Sequence, residues 1–268
     1  MSDRYAVIGN PVAHSKSPWL HAEFARACGQ DLEYVRIEAP LDAFDATVTA
    51  FRTSGGRGAN VTLPFKPEAF RYCTATSERA RAARAVNTLV LDRGAPWGDN
   101  TDGIGLVRDL EENLGFALRG CRVLVIGAGG AAQGVVPSLH AQAPERLVVA
   151  NRTSDKARAL AARYEGVAGC GYAELAGTRF DLIVNATSAG LAGELPPLPP
   201  LETLLTPSAL VYDMVYGRDT PFLAFARSAG VRTSDGAGML VEQAAESFFI
   251  WRGVRPDTRN VLATLRRG

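Results

Sequence analysis

Short apolar runs punctuate the first third of the chain. Tyr5-Ala-Val-Ile-Gly9, Glu33-Tyr-Val-Arg-Ile37, Gly58-Ala-Asn-Val-Thr62 and Asn87-Thr-Leu-Val-Leu91 read as strands. Between them, residues 18–29 and 41–54 carry helix-like patterns, and this alternation predicts a parallel α/β sheet. A second series begins at Arg122-Val-Leu-Val-Ile126. It continues through Arg146-Leu-Val-Val-Ala150, Asp181-Leu-Ile-Val-Asn185 and Ala209-Leu-Val-Tyr-Asp213. These runs are continuously apolar rather than alternating, the pattern of strands covered on both faces. Helices are predicted over Gly103–Leu114, Gly238–Trp251 and Asp257–Arg267. No internal repeat is evident, and the Pro-rich stretch Leu195–Pro200 reads as a loop.

Composition narrows the class. A chain of 268 residues suits one large or two modest domains, and 47% hydrophobic content is enough to bury real cores. With 29 basic and 28 acidic residues the net charge is +1, which argues against nucleic acid or an anionic membrane as partner. No apolar run reaches membrane-spanning length, and the start at Met1-Ser-Asp-Arg-Tyr5 has no signal core, so a cytoplasmic location is expected. Cys28, Cys73, Cys121 and Cys170 are scattered and are expected to be reduced core residues. His14, His21 and His140 do not cluster at metal-ligand spacing, so no metal site is expected.

The first chemical signal follows the strand at Val123. Gly127-Ala128-Gly129-Gly130-Ala131-Ala132 fits G-x-G-x-x-A in its required context of strand, turn and helix. The first glycine permits the tight turn, the second lets backbone approach a pyrophosphate, and the third small residue lets helix and strand pack closely. N–H groups at the helix start then face the phosphates. The next strand ends at Asn151-Arg152-Thr153, where an NAD site usually carries a carboxylate for the ribose 2′-hydroxyl. Arg152 there, and Lys156 one helical turn on, suit a 2′-phosphate instead, with Asp155 between them as the one opposing charge. At ~1.5–3 kcal/mol per charge-assisted hydrogen bond, two partly exposed ones give on the order of 10²-fold preference for NADP.

Three further segments place polar groups at strand or helix ends. In Gly9-Asn-Pro-Val-Ala-His14-Ser15-Lys16-Ser17-Pro18, Pro18 fits a first helical turn and Ser17 its N-cap. Ser15 has no capping role to explain it, and paired hydroxyls near a helix N-terminus suit a carboxylate. Asn60-Val-Thr62-Leu-Pro64-Phe-Lys66 falls at the C-terminal end of a predicted strand, the edge where open α/β sheets hold ligands. A solvated surface position is the commonest fate of a lysine such as Lys66. Ala85-Val-Asn87-Thr88 and Asp99-Asn-Thr-Asp102-Gly103 add an amide and a carboxylate, although Asp102 also fits an N-cap for the helix that follows.

These segments occur in order with Asn185-Ala-Thr-Ser188, Tyr212-Asp-Met-Val-Tyr216 and Gly236-Ala-Gly-Met-Leu-Val-Glu-Gln243. Over nearly its whole length the chain closely resembles the shikimate dehydrogenases of the aromatic amino-acid pathway. The resemblance implies reversible, NADPH-dependent reduction of 3-dehydroshikimate to shikimate. It also implies the substrate carboxylate on Ser15 and Ser17 with Tyr216 nearby, and ring hydroxyls on Thr62, Asn87, Asp102 and Gln243. Lys66 would be the catalytic acid/base and Asp102 its partner. For the cofactor it points to Gly127, Ala128, Gly129, Gly130, Ala131, Asn151, Arg152, Thr153, Lys156, Met214, Gly236 and Glu78. One departure is Arg84, which stands where a small residue is expected.

The expected architecture is two α/β domains. Residues 1–102 with 238–268 would form a substrate domain with a mainly parallel sheet, and 103–237 a Rossmann-type NADP-binding domain. A dual-specificity quinate/shikimate dehydrogenase is the nearest rival. A catalytically silent dinucleotide-binding sensor is another, although its mark would be loss of Lys66 or Asp102, and both are present. A small-molecule substrate and a monomeric or homodimeric chain complete the expectation.

Overall fold

The computed structural model describes residues 2–187, 189 and 195–267. They form two compact units, Met1–Gly105 with Val241–Gly268, and Leu106–Leu240.

The first unit runs β1 (Asp3–Gly9), α1 (Ser17–Ala27), β2 (Leu32–Glu38), α2 (Phe44–Thr53), β3 (Gly56–Val61), α3 (Lys66–Tyr72), β4 (Ala75–Thr76), α4 (Glu78–Ala83), β5 (Thr88–Val90) and β6 (Trp97–Asp99). Among the described residues its sheet has the order β2-β1-β3-β5-β6-β4. β1 is parallel to β2 and β3, as expected. The sheet is mainly parallel, as expected, and β5 is the exception, antiparallel to both β3 and β6. The link from β5 to β6 turns through Gly94 at φ +87 and is too short for the crossover that parallel neighbours need. One face of the sheet buries Ile8, Val61 and Leu89 against Phe44, Phe51 and Phe65. In another cluster Tyr5 and Val90 meet Trp251, whose indole N–H donates to the Leu89 carbonyl at 2.9 Å.

α5 (Asp102–Arg108) leads into the second unit. The expected helix toward Leu114 forms, but its last stretch, Asp109–Asn113, is π-helical rather than α-helical. The widened turn carries the fully buried Asp109, which accepts from the Tyr212 hydroxyl at 2.7 Å and the Asn113 amide at 3.1 Å. There follow β7 (Arg122–Ile126), α6 (Gly130–Ala141), β8 (Arg146–Ala150), α7 (Ser154–Ala161), β9 (Val167–Cys170), β10 (Phe180–Asn185), α8 (Leu201–Leu204), β11 (Leu205–Asp213), α9 (Pro221–Ser228) and β12 (Arg232–Ser234). The chain ends with α10 (Ala237–Arg252) and α11 (Arg259–Leu265). The second sheet has the order β12-β11-β10-β7-β8-β9, and every pair is parallel. β7 shows why its residues are continuously apolar: Val123 and Val125 enter one core, Leu124 and Ile126 the other. Strand order reverses beside β7, the switch point at which such sheets bind ligands.

Two sequence expectations are refined. All four cysteines are free thiols of intermediate exposure, not fully buried core residues, because each sits at the margin of an element. Arg84 ends α4 in the left-handed region at φ +54. That conformation suits glycine, which is the physical reason a small residue belongs there. Among the described residues no helix is long and apolar enough to cross a membrane.

Candidate active site

The loop after β1 delivers Ser15 and Ser17. Helix α1 begins at Ser17 itself, with Lys16 as N-cap and no side-chain cap bond from it. The capping expected of Ser17 is therefore made by Ser15, whose Oγ accepts the Ser17 N–H at 3.3 Å. The chain enters the helix one residue early, since Lys16 already has helical dihedrals. The Ser15 hydroxyl also donates to Ser17 Oγ at 3.2 Å, so the two hydroxyls stand side by side at a helix N-terminus.

Lys66 and Asp102 come from different elements and meet. Lys66 opens α3, and its Nζ donates to Asp102 Oδ2 at 2.6 Å. Their side chains are 19% and 8% exposed, so the pair is largely withdrawn from water. A desolvated pair persists only if its remaining polar atoms are satisfied. Asn87 does this, its Nδ2 donating to Asp102 Oδ1 at 2.8 Å. The N-cap reading of Asp102 is corrected: Asn100 Oδ1 accepts the Asp102 N–H at 3.1 Å, leaving the Asp102 carboxylate to the lysine. Asn87 is itself fixed, because its Oδ1 accepts from the Thr101 N–H and the Thr88 hydroxyl, each at 2.9 Å. Gln243, in the part of α10 that belongs to this unit, accepts from the Asn87 amide at 3.4 Å. Thr62 lies in the turn between β3 and α3, half-buried, its N–H bonded to the Ile8 carbonyl.

Behind these groups lies a buried polar network that sequence reasoning missed. The Asn60 amide donates to the Asn87 carbonyl at 3.1 Å and to Ser247 Oγ at 2.9 Å. Because Nδ2 is committed to a carbonyl, Oδ1 faces the Tyr34 hydroxyl at 2.7 Å and His21 Nε2 at 3.2 Å. Oδ1 only accepts, so His21 carries its proton on Nε2. The His21 ring stacks on Tyr34 at 4.3 Å, and burial pushes its pKa down to about 3. Burial pushes the Tyr34 hydroxyl well above its usual range, and a hydrogen bond from Ser17 works in the opposite sense. A chain of contacts thus runs from the paired serines through Tyr34, Asn60 and Asn87 to Asp102. An asparagine inside an apolar strand was the one available sign, and the sequence did not say what it faced.

The second unit carries most of the cofactor candidates. Gly127 ends β7 at φ +109, and a Cβ there would lie 3.1 Å from the Ala186 carbonyl oxygen. At Gly129 and Gly130 a Cβ would meet nothing within 4 Å, so open space lies over the start of α6. Ala132 is fully buried on the inner side, as helix–strand packing requires, while Ala128 and Ala131 sit against the same core. Asn151 follows β8 and its amide donates to the Thr153 carbonyl at 3.0 Å. Arg152 and Thr153 are exposed, and so is Lys156. Asp155 turns to Arg158 at 3.6 Å, and neither Arg152 nor Lys156 has an ion-pair partner among the described residues. Open space over backbone N–H groups, with two uncompensated cations beyond the next strand, fits a dinucleotide with an extra phosphate.

Met214 and Gly236 are packed together, since a Cβ on Gly236 would lie 2.3 Å from the Met214 carbonyl oxygen. Tyr216 belongs to this same unit, half-buried, with its hydroxyl pushed up by burial. Glu78 belongs to the first unit, in the first turn of α4. Ser188 lies outside the described residues.

The chain is similar to known proteins over nearly its whole length. Residues 7–89 match the model of the shikimate dehydrogenase substrate binding domain, 109–192 that of shikimate / quinate 5-dehydrogenase, and 236–266 that of the shikimate 5′-dehydrogenase C-terminal domain. A shikimate dehydrogenase (NADP(+)) of Dechloromonas aromatica is 55% identical over 271 residues, covering 99% of this chain and 98% of that protein. Among solved structures, an Ael1 enzyme from Pseudomonas putida superposes with a TM-score of 0.93 at 50% identity, covering 98% of both chains. Shikimate 5-dehydrogenase from Thermus thermophilus, in complex with NADP(H) and shikimate, gives 0.89 at 35% identity and covers 99% of both.

Proposed function

The chain belongs to the shikimate dehydrogenase family, and from that premise we infer its reaction: reversible, NADPH-dependent reduction of 3-dehydroshikimate to shikimate in aromatic amino-acid biosynthesis. It is an oxidoreductase acting on a CH–OH group. We assign residues 1–102 with 238–268 to a substrate domain and 103–237 to an NADP-binding domain, a division supported by the two compact units. The cytoplasm is the compartment we propose, consistent with four unpaired thiols. We take the working form to be a monomer or homodimer without nucleic acid.

The observation that carries the mechanism is the 2.6 Å contact between Lys66 and Asp102, braced by Asn87. Bound NADPH supplies the hydride. As the ketone carbon is reduced, negative charge grows on its oxygen, and the Lys66 ammonium both stabilises that charge and delivers the proton. In the oxidative direction the Lys66 amine takes the hydroxyl proton. Asp102 holds the ammonium in place and accepts from a ring hydroxyl. Thr62, Asn87 and Gln243 hold the remaining hydroxyls, and Ser15 and Ser17 take the carboxylate. Gly127–Ala131 would hold the diphosphate, and Asn151, Arg152, Thr153 and Lys156 the 2′-phosphate. Met214 and Gly236 would hold the nicotinamide end. Growth of nicotinamide absorbance on mixing the chain with shikimate and NADP⁺ tests the reading. A kcat/KM for quinate equal to that for shikimate would favour dual specificity, and no turnover of either acid with either cofactor would refute it.

A further inference from the structure

Arg36 stands on β2, opposite Val7 of β1, and reaches the loop that follows β1. Two N–H groups on one edge of its guanidinium converge on one atom: Nη2 donates to the Ser15 carbonyl oxygen at 2.6 Å and Nε at 3.1 Å. Two other arginines of this unit are neutralised by carboxylates. Arg57 pairs with Asp3 and Asp92, and Arg79 with Asp99 and Glu246. Arg36 has no carboxylate partner among the described residues, and its side-chain bonds go to the Ser15 carbonyl. A carbonyl satisfies hydrogen bonds but leaves the positive charge intact. A full charge is therefore held one peptide away from two adjacent hydroxyls, at a helix N-terminus.

We propose that Arg36 is a positioning and specificity residue for the anionic end of the substrate. It holds the Ser15–Lys16 peptide so that both serine hydroxyls present to a carboxylate, and its uncancelled charge selects the anion over a neutral analogue. The inference rests on the assignment of Ser15 and Ser17 to the substrate carboxylate. Arg36 is at the surface rather than in the core, so its replacement leaves the core untouched. An arginine fork of this kind is not reproduced by lysine, which supplies the charge without the two-pronged geometry.

The test is steady-state kinetics with shikimate and NADP⁺ on wild type, Arg36→Met, Arg36→Lys and the double variant Ser15→Ala/Ser17→Ala, at low and high salt. Arg36→Met is expected to raise the KM for shikimate about tenfold at low salt, the loss of one charge-assisted contact, with a much smaller change in kcat and in the KM for NADP⁺. Wild-type KM should rise with ionic strength, Arg36→Met should lose that dependence, and Arg36→Lys should keep it with an intermediate KM. The wild-type preference for shikimate over its methyl ester should shrink in Arg36→Met. An Arg36→Met enzyme whose KM stays within about twofold of wild type, or whose salt dependence is unchanged, overturns the proposal. If the serine double variant raises KM while Arg36→Met does not, Arg36 alone is misassigned. If the serine variant leaves KM unchanged, the carboxylate assignment itself fails.

Discussion

His21 offers a test in which sign and size both follow from the structure. Its ring is buried on Asn60, Tyr34 and Trp251, and burial holds its pKa down to about 3 against an ordinary value of 6.5. The folded chain therefore refuses a proton that the unfolded chain accepts. For a group whose folded value is depressed, the stability is present above about 6.5 and is lost as pH falls toward about 3. The slope in that window is ~1.4 kcal/mol per pH unit, so between about pH 7 and pH 5 this one residue removes about 2 kcal/mol of stability. His21→Gln keeps an N–H donor for Asn60 and cannot titrate. The variant should start roughly 1–3 kcal/mol less stable at about pH 7, from lost ring packing. Its stability should then fall about 2 kcal/mol less than wild type on going to about pH 5. Equilibrium urea unfolding followed by circular dichroism at the two pH values measures both quantities. An identical loss in the two proteins would mean that His21 is not the residue that senses acid, and the buried neutral ring would lose its energetic meaning.

Other outcomes are expected from the same structure. Lys66→Ala should lower kcat by on the order of 10²–10⁴ while changing the KM for shikimate only modestly, and a near-normal kcat removes Lys66 from the chemistry. Arg152→Ala should weaken NADP⁺ binding, measured by fluorescence titration, and barely alter NAD⁺ binding; equal losses refute the 2′-phosphate assignment. Arg84→Gly relieves the left-handed φ of +54 and should stabilise the chain by about 0.5–1 kcal/mol in thermal or urea unfolding, whereas destabilisation would show that the arginine side chain outweighs its backbone strain.

The four central strands of the second sheet were legible in the sequence. β7 and β8 begin and end where their apolar runs do, because strands buried on both faces need continuous hydrophobicity and little else produces it. The glycine turn was equally plain, since a tight φ-positive turn and close helix packing each demand a small residue at a fixed offset. β4, with only two residues, was missed, and so were β6, β9 and β12. All four are two to four residues long and sit toward sheet edges, so they carry too few apolar positions to show a period. The antiparallel turn of β5 escaped because direction belongs to the connection, not to the strand.

Local chemistry, then, belongs to the sequence alone. It determined which segments bury both faces, where the tight glycine turn must lie, and which hydroxyls, amine and carboxylate stand at element ends. Tertiary structure decided what each polar group faces. Ser15 rather than Ser17 makes the cap, Asn100 rather than Asp102 serves its helix, and Asn60 bonds Ser247 across a separation of 187 positions. Periodicity reports burial over a few residues, whereas a buried hydrogen bond is chosen by whichever partner the folded chain brings within about 3 Å.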